Sequence, residues 1–270
     1  MAKIILLLFL VCSRFASTAQ QQEVAMAEQA FAQMAVDSST KKAFLHFLDS
    51  NSLLFYEGKS HPAIPFWQNL PGHGGHLFWK PVYTGMAGSG DIGFSTGPFE
   101  QRETPAAQVK VSGNYSSIWA KNKQGEWKVI IDMGVEYPHS LFQQPGRQLE
   151  YNKPAPVTGK TNWQKIEQDC NARIRQKGYR ALLPYITSDS WFNIMGQHPL
   201  HTVKDIETGL QQIPAALEFA FTGGNISAAG DLFYTYGVVT LHGKKENYLR
   251  VWGHEKDGWK LLLHVLNWVP

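Results

Sequence analysis

The chain repeats itself, and a tandem duplication constrains a fold more than any single motif, because both copies must bury equivalent faces. Residues 43–58, AFLHFLDSNSLLFYEG, lie without gaps over residues 181–196, ALLPYITSDSWFNIMG. SGDIGFSTG from Ser89 matches AGDLFYTYG from Ala229, with Asp91 over Asp231 and Gly97 over Gly237. YSSIWAKNKQGEWKVIIDMGVEYP from Tyr115 matches YLRVWGHEKDGWKLLLHVLNWVP from Tyr248 with one gap at Glu126. These blocks keep one order and a nearly constant offset. They define a first copy over 20–140, a joining stretch over 141–162 rich in Pro, Gly and polar residues, and a second copy over 163–270.

Residues 1–19 read as a secretory signal. Lys3 precedes the apolar run IILLLFLV, far shorter than the roughly 20 residues of a membrane span, and Ala16-Ser17-Thr18-Ala19 follows with a cleavage point after Ala19. The expected location is the periplasm or the extracellular space, with no membrane span. Cys12 offers a site for lipidation, but Val11 before it is bulkier than such processing favours. Cleavage leaves Cys170 alone, so no internal disulfide is expected and stability must come from packing. With 43% hydrophobic residues, 17% charged residues and a net charge of +3, the chain is globular and lacks the basic excess of a nucleic-acid binder.

Each copy runs from helices to strands. Val24, Ala27, Phe31, Met34 and Ala35 recur at helical spacing, as do Ile166, Cys170, Ile174 and Tyr179 with some drift. A shorter helix, a short strand near 53–56 or 191–195 and a third helix near 63–70 or 203–213 follow, and then strand-like runs ending in a hairpin. The predicted class is α+β: two tandem domains, each with N-terminal helices packed on a curved antiparallel sheet. Alternation along the last strand places Trp127, Val129, Ile131 and Met133 on one side and Lys128, Ile130, Asp132 and Gly134 on the other. In the second copy Trp259, Leu261, Leu263 and Val265 oppose Lys260, Leu262, His264 and Leu266. Both faces are largely apolar. One face can lie under the helices; the other predicts sheet-to-sheet packing of the copies as a covalent pseudo-dimer, with further self-association as an open partner.

The element order, the SGDIGFSTG strand and the ending YxxxW, turn, G-(x)-WK, apolar strand resemble the nuclear transport factor 2-like superfamily, which includes ketosteroid isomerase and SnoaL-like cyclases. RVWGHEKDGW in the second copy is similar to the association domain of calcium/calmodulin-dependent kinase II. The resemblance covers nearly all of both copies and sits closest to an uncharacterised exported bacterial branch. It implies a cone-shaped pocket between helices and concave sheet in each domain. It also implies a pocket role for Arg250, which has Ser117 as its counterpart, and for Asp132 and His264 on the last strands. Tyr115, Tyr248, Trp79, Phe94, Trp119 and Trp252 are the expected aromatic lining. The isomerase set of a helix-1 tyrosine, a catalytic aspartate and a second buried acid is not found; Phe31 and Cys170 occupy that helical stripe.

The chemistry of these residues leaves alternatives open. Asp132 in an apolar strand can serve as a general base with a raised pKa or as a carboxylate satisfied by its neighbours. His264 can act as acid or base or be a hydrogen-bonded core residue. Arg250 can clamp a carboxylate ligand or pair with Glu218 or Asp231. Asp91 and Asp231, at equivalent strand starts, read as turn caps. His73-Gly-Gly-His76, with His61 nearby, is too loose a set for a metal site, and none is expected. Phosphate-loop, dinucleotide, nucleophile-elbow and Cys-pair zinc patterns are absent from the sequence, and no cofactor is expected. Asn114-Tyr-Ser and Asn225-Ile-Ser fit glycan acceptors. The expected function is non-catalytic binding of a small apolar or carboxylated ligand, or protein association. The alternative is a cofactor-independent isomerase, cyclase or hydrolase using Asp132 or His264 as base.

Overall fold

A computed structural model describes residues 22–71, 75–145, 148–151 and 154–268. The expected signal segment, His73 and the last two residues lie outside them. The first copy opens with α1 (Glu23–Asp37) and α2 (Thr40–Phe47), followed by strands β1 (Leu48–Tyr56) and β2 (Lys59–Pro62) and helix α3 (Ala63–Asn69). Strands β3 (His76–Trp79), β4 (Tyr83–Met86), β5 (Ile92–Arg102), β6 (Val109–Lys121) and β7 (Trp127–Glu136) complete it. The joining stretch carries β8 (Leu149–Tyr151). The second copy has α4 (Trp163–Lys177), a 3₁₀ segment (Tyr179–Tyr185), β9 (Trp191–Ile194), α5 (Val203–Leu210), β10 (Glu218–Ile226), β11 (Leu232–Leu241), β12 (Lys244–Glu255) and β13 (Gly258–Leu266). Pro184 keeps its second helical segment short and tight, where the first copy has α2.

Among the described residues the first sheet runs β2-β1-β7-β6-β5-β4-β8 and the second β10-β11-β12-β13-β9. The sheets are antiparallel except where β1 joins β7, β9 joins β13 and β8 joins β4, all in parallel. Each sheet is thus mainly antiparallel, with parallel pairing where the first strand of a copy lies beside its last strand and where β8 of the joining stretch lies along β4. Both copies use one device at that entry. Ser52 Oγ accepts from Asp49 N at 2.7 Å and donates to Val129 O at 2.5 Å. Ser190 Oγ accepts from Thr187 N at 3.0 Å and donates to Leu261 O at 2.7 Å.

The two sheets face one another across a shared apolar layer. Phe94, Ile118, Ile131 and Met133 of the first copy meet Leu249, Val251, Leu263 and Val265 of the second. Tyr151 of β8 is buried in the same layer, so the joining stretch is part of the structure rather than a tether on its surface. One polar cluster breaks the layer. Asn193 donates to Thr96 Oγ1 at 2.8 Å and Ser116 Oγ at 3.0 Å, and accepts from Asn114 at 3.1 Å and Trp191 Nε1 at 2.9 Å. Every polar group of its side-chain amide is used, as burial requires. Asn114 is itself buried in this cluster, which removes it as a glycan acceptor.

Strand parity departs from the expected alternation. Ile118 and Trp119 pair with Ile131 and Val129, leaving Ile130 as an extra residue, and Val251 and Trp252 pair with Leu263 and Leu261, leaving Leu262 extra. This β-bulge, at the same place in both copies, switches the faces halfway along the strand. Trp127 and Val129 lie under the helices, but beyond the bulge Ile131 and Met133 turn to the sister sheet. Asp132 and, in the second copy, His264 are thereby turned toward the helices.

Candidate functional site

Helix α1 presents Val24, Glu28, Phe31 and Ala35 on its buried stripe. A carboxylate in that row is costly unless it is hydrogen-bonded, and Glu28, fully buried, is. It accepts from Trp79 Nε1 at 2.6 Å and Trp119 Nε1 at 2.9 Å, and from the Ser95 hydroxyl. Helix α4 repeats the arrangement with Glu167, which accepts from Trp252 Nε1 at 3.2 Å and Thr235 Oγ1 at 2.9 Å. Neither glutamate is prominent in the sequence. The signal that finds them is the Glu-Gln pair at 28–29 and 167–168, three residues before Phe31 and Cys170 in aligned helices.

In the first copy the space between helices and sheet is a cavity of about 120 Å³. Its aromatic wall is Phe31, Phe44, Trp79, Phe99 and Tyr115; its polar positions are Glu28, Ser117 and Asp132. Asp132 is half-buried and accepts from Ser117 Oγ at 3.0 Å. Burial pushes its carboxyl up to about 6, against the lowering effect of the Ser117 hydroxyl. Burial likewise pushes Glu28 up to about 7; the hydrogen bonds from Ser95, Trp79 and Trp119 oppose this, and the charge of Asp132 adds to it. The Tyr115 hydroxyl is buried in the same wall without a well-formed hydrogen bond among the described residues.

The second cone holds larger buried side chains at the matching positions. Arg250 stands where the first copy has Ser117 and is fully buried. Its Nη1 donates to Glu167 Oε1 and to Asn171 Oδ1, each at 2.7 Å, and its guanidinium carbon lies 4.8 Å from the Phe219 ring centroid and 4.7 Å from that of Tyr248. Burial works against its charge, but Glu167 together with Cys170, Tyr248 and Tyr179 outweighs that, so the guanidinium stays protonated. Its ion-pair partner is Glu167, not Glu218 or Asp231. His264 is fully buried, and burial together with the Arg250 charge holds its imidazole well below the usual 6.5. Leu266 is buried where the first copy has the exposed Gly134.

The structure thus brings Trp79, Tyr115, Ser117 and Asp132 together on one cavity, with Trp119 behind it holding Glu28. Tyr248, Arg250, Trp252 and His264 belong to the packed interior of the second cone. Phe94, expected on the lining, lies between the sheets, because its strand position faces the sister copy. Asp91 and Asp231 do cap turns, but each caps a turn of the other copy. Among the described residues no group of three or more His, Cys, Asp or Glu could hold a metal ion, and no helix is long and apolar enough to cross a membrane.

No family model and no curated protein matches the sequence. Solved structures do. A candidate ketosteroid isomerase from Parabacteroides distasonis is 19% identical, with a TM-score of 0.32, over 40% of this chain and 84% of its own. A nuclear transport factor 2-like protein of unknown function from Shewanella oneidensis is 12% identical, with a TM-score of 0.33, over 41% and 94%. The structural neighbours are nuclear transport factor 2-like proteins. A candidate calcium/calmodulin-dependent protein kinase II association domain from Xanthomonas campestris is also similar, at 12% identity and a TM-score of 0.32, over 43% of this chain and 96% of its own. Each match spans about two-fifths of the chain, the length of one copy.

Proposed function

We propose that this protein binds a small organic molecule in the cone of its first copy, and that the second copy supports that site rather than duplicating it. The observation that carries this reading is the contrast at one strand position. Ser117 beside Asp132 leaves a cavity of about 120 Å³, whereas Arg250 beside His264 occupies the corresponding space. A volume of that size equals about four water molecules, which suits a ligand of few heavy atoms. The aromatic wall supplies contact area, and Asp132 with Ser117 supplies orientation. A carboxylated ligand fits the open cone poorly, because that cone holds two acids.

Asp132 favours a second reading, cofactor-independent acid–base catalysis. Pushed up to about 6, it can exchange a proton with a bound molecule near neutral pH. Glu28, with both oxygens engaged by Trp79, Trp119 and Ser95, would position rather than react. Export of the mature chain, cut after Ala19, completes the proposal, and N-terminal sequencing of the protein from its own host checks it.

Native mass spectrometry of the protein from that host tests the binding reading. A retained small molecule that is lost on Ser117→Phe and kept on Leu266→Ala supports it. Retention unaffected by Ser117→Phe overturns it.

A further inference from the structure

We propose that the first cone binds a small organic cation, an alkylammonium or guanidinium compound, in the place that the second cone fills with the guanidinium of Arg250. This inference rests on the binding reading above and names the class of ligand. The two copies correspond residue by residue in sequence and strand register. In the second cone a cation lies over Phe219 and Tyr248 and is held by Glu167. The first cone keeps each of those partners. Trp79 stands for Phe219, since Trp79 pairs with Phe99 as Phe219 pairs with Val239 at matching register. Tyr115 stands for Tyr248 and Glu28 for Glu167, while the cation is replaced by Ser117.

What remains is a cage with the chemistry of a cation site and no cation of its own. Ring faces attract a positive charge through their quadrupole, more strongly when it is desolvated. The titratable groups facing the cavity are Glu28 from α1, Tyr115 from β6 and Asp132 from β7; α2, β3 and β5 contribute Phe44, Leu77, Trp79 and Phe99, and among the described residues no Lys, Arg or His lines it. The Tyr115 hydroxyl, more than nine-tenths buried in the same wall and near Ser95, makes no well-formed hydrogen bond there. Burial without a basic partner raises both carboxyls, so a bound cation would restore their charged forms and release protons. Cation affinity must therefore rise with pH.

The test is titration of the mature protein with n-butylammonium and methylguanidinium and with their uncharged counterparts n-butanol and N-methylurea, at pH 8 and pH 5. The readouts are calorimetry and the indole N–H resonance of Trp79. The expected result is at least tenfold tighter binding of each cation than of its counterpart at pH 8, with that preference falling at least fivefold at pH 5. Asp132→Asn should remove most of the preference. Ser117→Arg should abolish binding of all four compounds by supplying the cation internally; if that variant does not fold, Asp132→Asn alone decides. Neutral compounds that shift Trp79 and bind as tightly as the cations at pH 8 overturn the cation inference and leave the cavity as a binding site. A Trp79 resonance that none of the four compounds moves overturns both.

Discussion

Asp91 Oδ2 accepts the backbone N–H of Ala228 at 2.9 Å, and Asp231 Oδ2 accepts that of Gly88 at 2.9 Å, so each aspartate caps the turn that precedes the other's strand. The two bonds are related as the contacts of a two-fold interface are, residue i to j and j to i. A duplicated turn has thus become half of a clasp between the copies.

Each aspartate also accepts from a serine of its own turn, Asp231 from Ser227 Oγ at 2.9 Å and Asp91 from Ser89 Oγ at 2.5 Å, but Asp231 is buried and Asp91 is half-buried. Asp231→Ala leaves two donors without a partner and should cost about 1–3 kcal/mol. Asp91→Ala should cost less than half of that. Urea unfolding midpoints check the order; equal losses would place the clasp's strength elsewhere.

Glu28 makes stability depend on pH. Its folded value of about 7 lies above the ordinary 4.5, so between those values the folded chain holds a proton that the unfolded chain has released. Its contribution is complete below pH 4.5 and lost as pH rises through 7, on the order of 3 kcal/mol. His264 works in the opposite sense, since its depressed value costs stability as pH falls below 6.5. Comparing wild type with Glu28→Gln cancels the histidine. The wild type should lose ground to the variant steadily from pH 4.5 to 7.5 in urea denaturation, and a constant difference would contradict the buried acid.

Removal of one partner of the Arg250–Glu167 pair leaves the other charge buried. Glu167→Gln should therefore destabilise by about 3–5 kcal/mol. Adding Arg250→Met should recover part of that loss, because the stranded guanidinium disappears. A double variant no more stable than Glu167→Gln alone would show that the lost hydrogen bonds to Trp252 and Thr235 dominate.

Gly97 and Gly237 lie close against neighbouring backbone. A Cβ on Gly97 would stand 2.0 Å from Lys80 O, and one on Gly237 would stand 2.2 Å from Ala220 O. Backbone cannot yield as a side chain can, so Gly97→Ala and Gly237→Ala should each cost about 1–3 kcal/mol. Thermal unfolding measures this, and an unchanged midpoint in either variant would mean the strands can part without cost.

The sequence by itself determined the duplication, the helix-then-strand order and the need to cover two apolar sheet faces, because repeats and periodicity are properties of the chain read in order. It also singled out Asp132, Ser117, Tyr115 and Trp79, which line the cavity. It could not determine which way those strands faced past the middle. A single extra residue, Ile130 or Leu262, reverses parity, and nothing local marks it. Only the tertiary structure paired Glu28 with Trp79 and Trp119, and Glu167 with Arg250, across separations of 51 to 91 residues. Those bonds depend on helix and sheet meeting at a fixed distance. Packing therefore decided that Ser117 borders a cavity in one cone while Arg250 pairs with Glu167 inside the other.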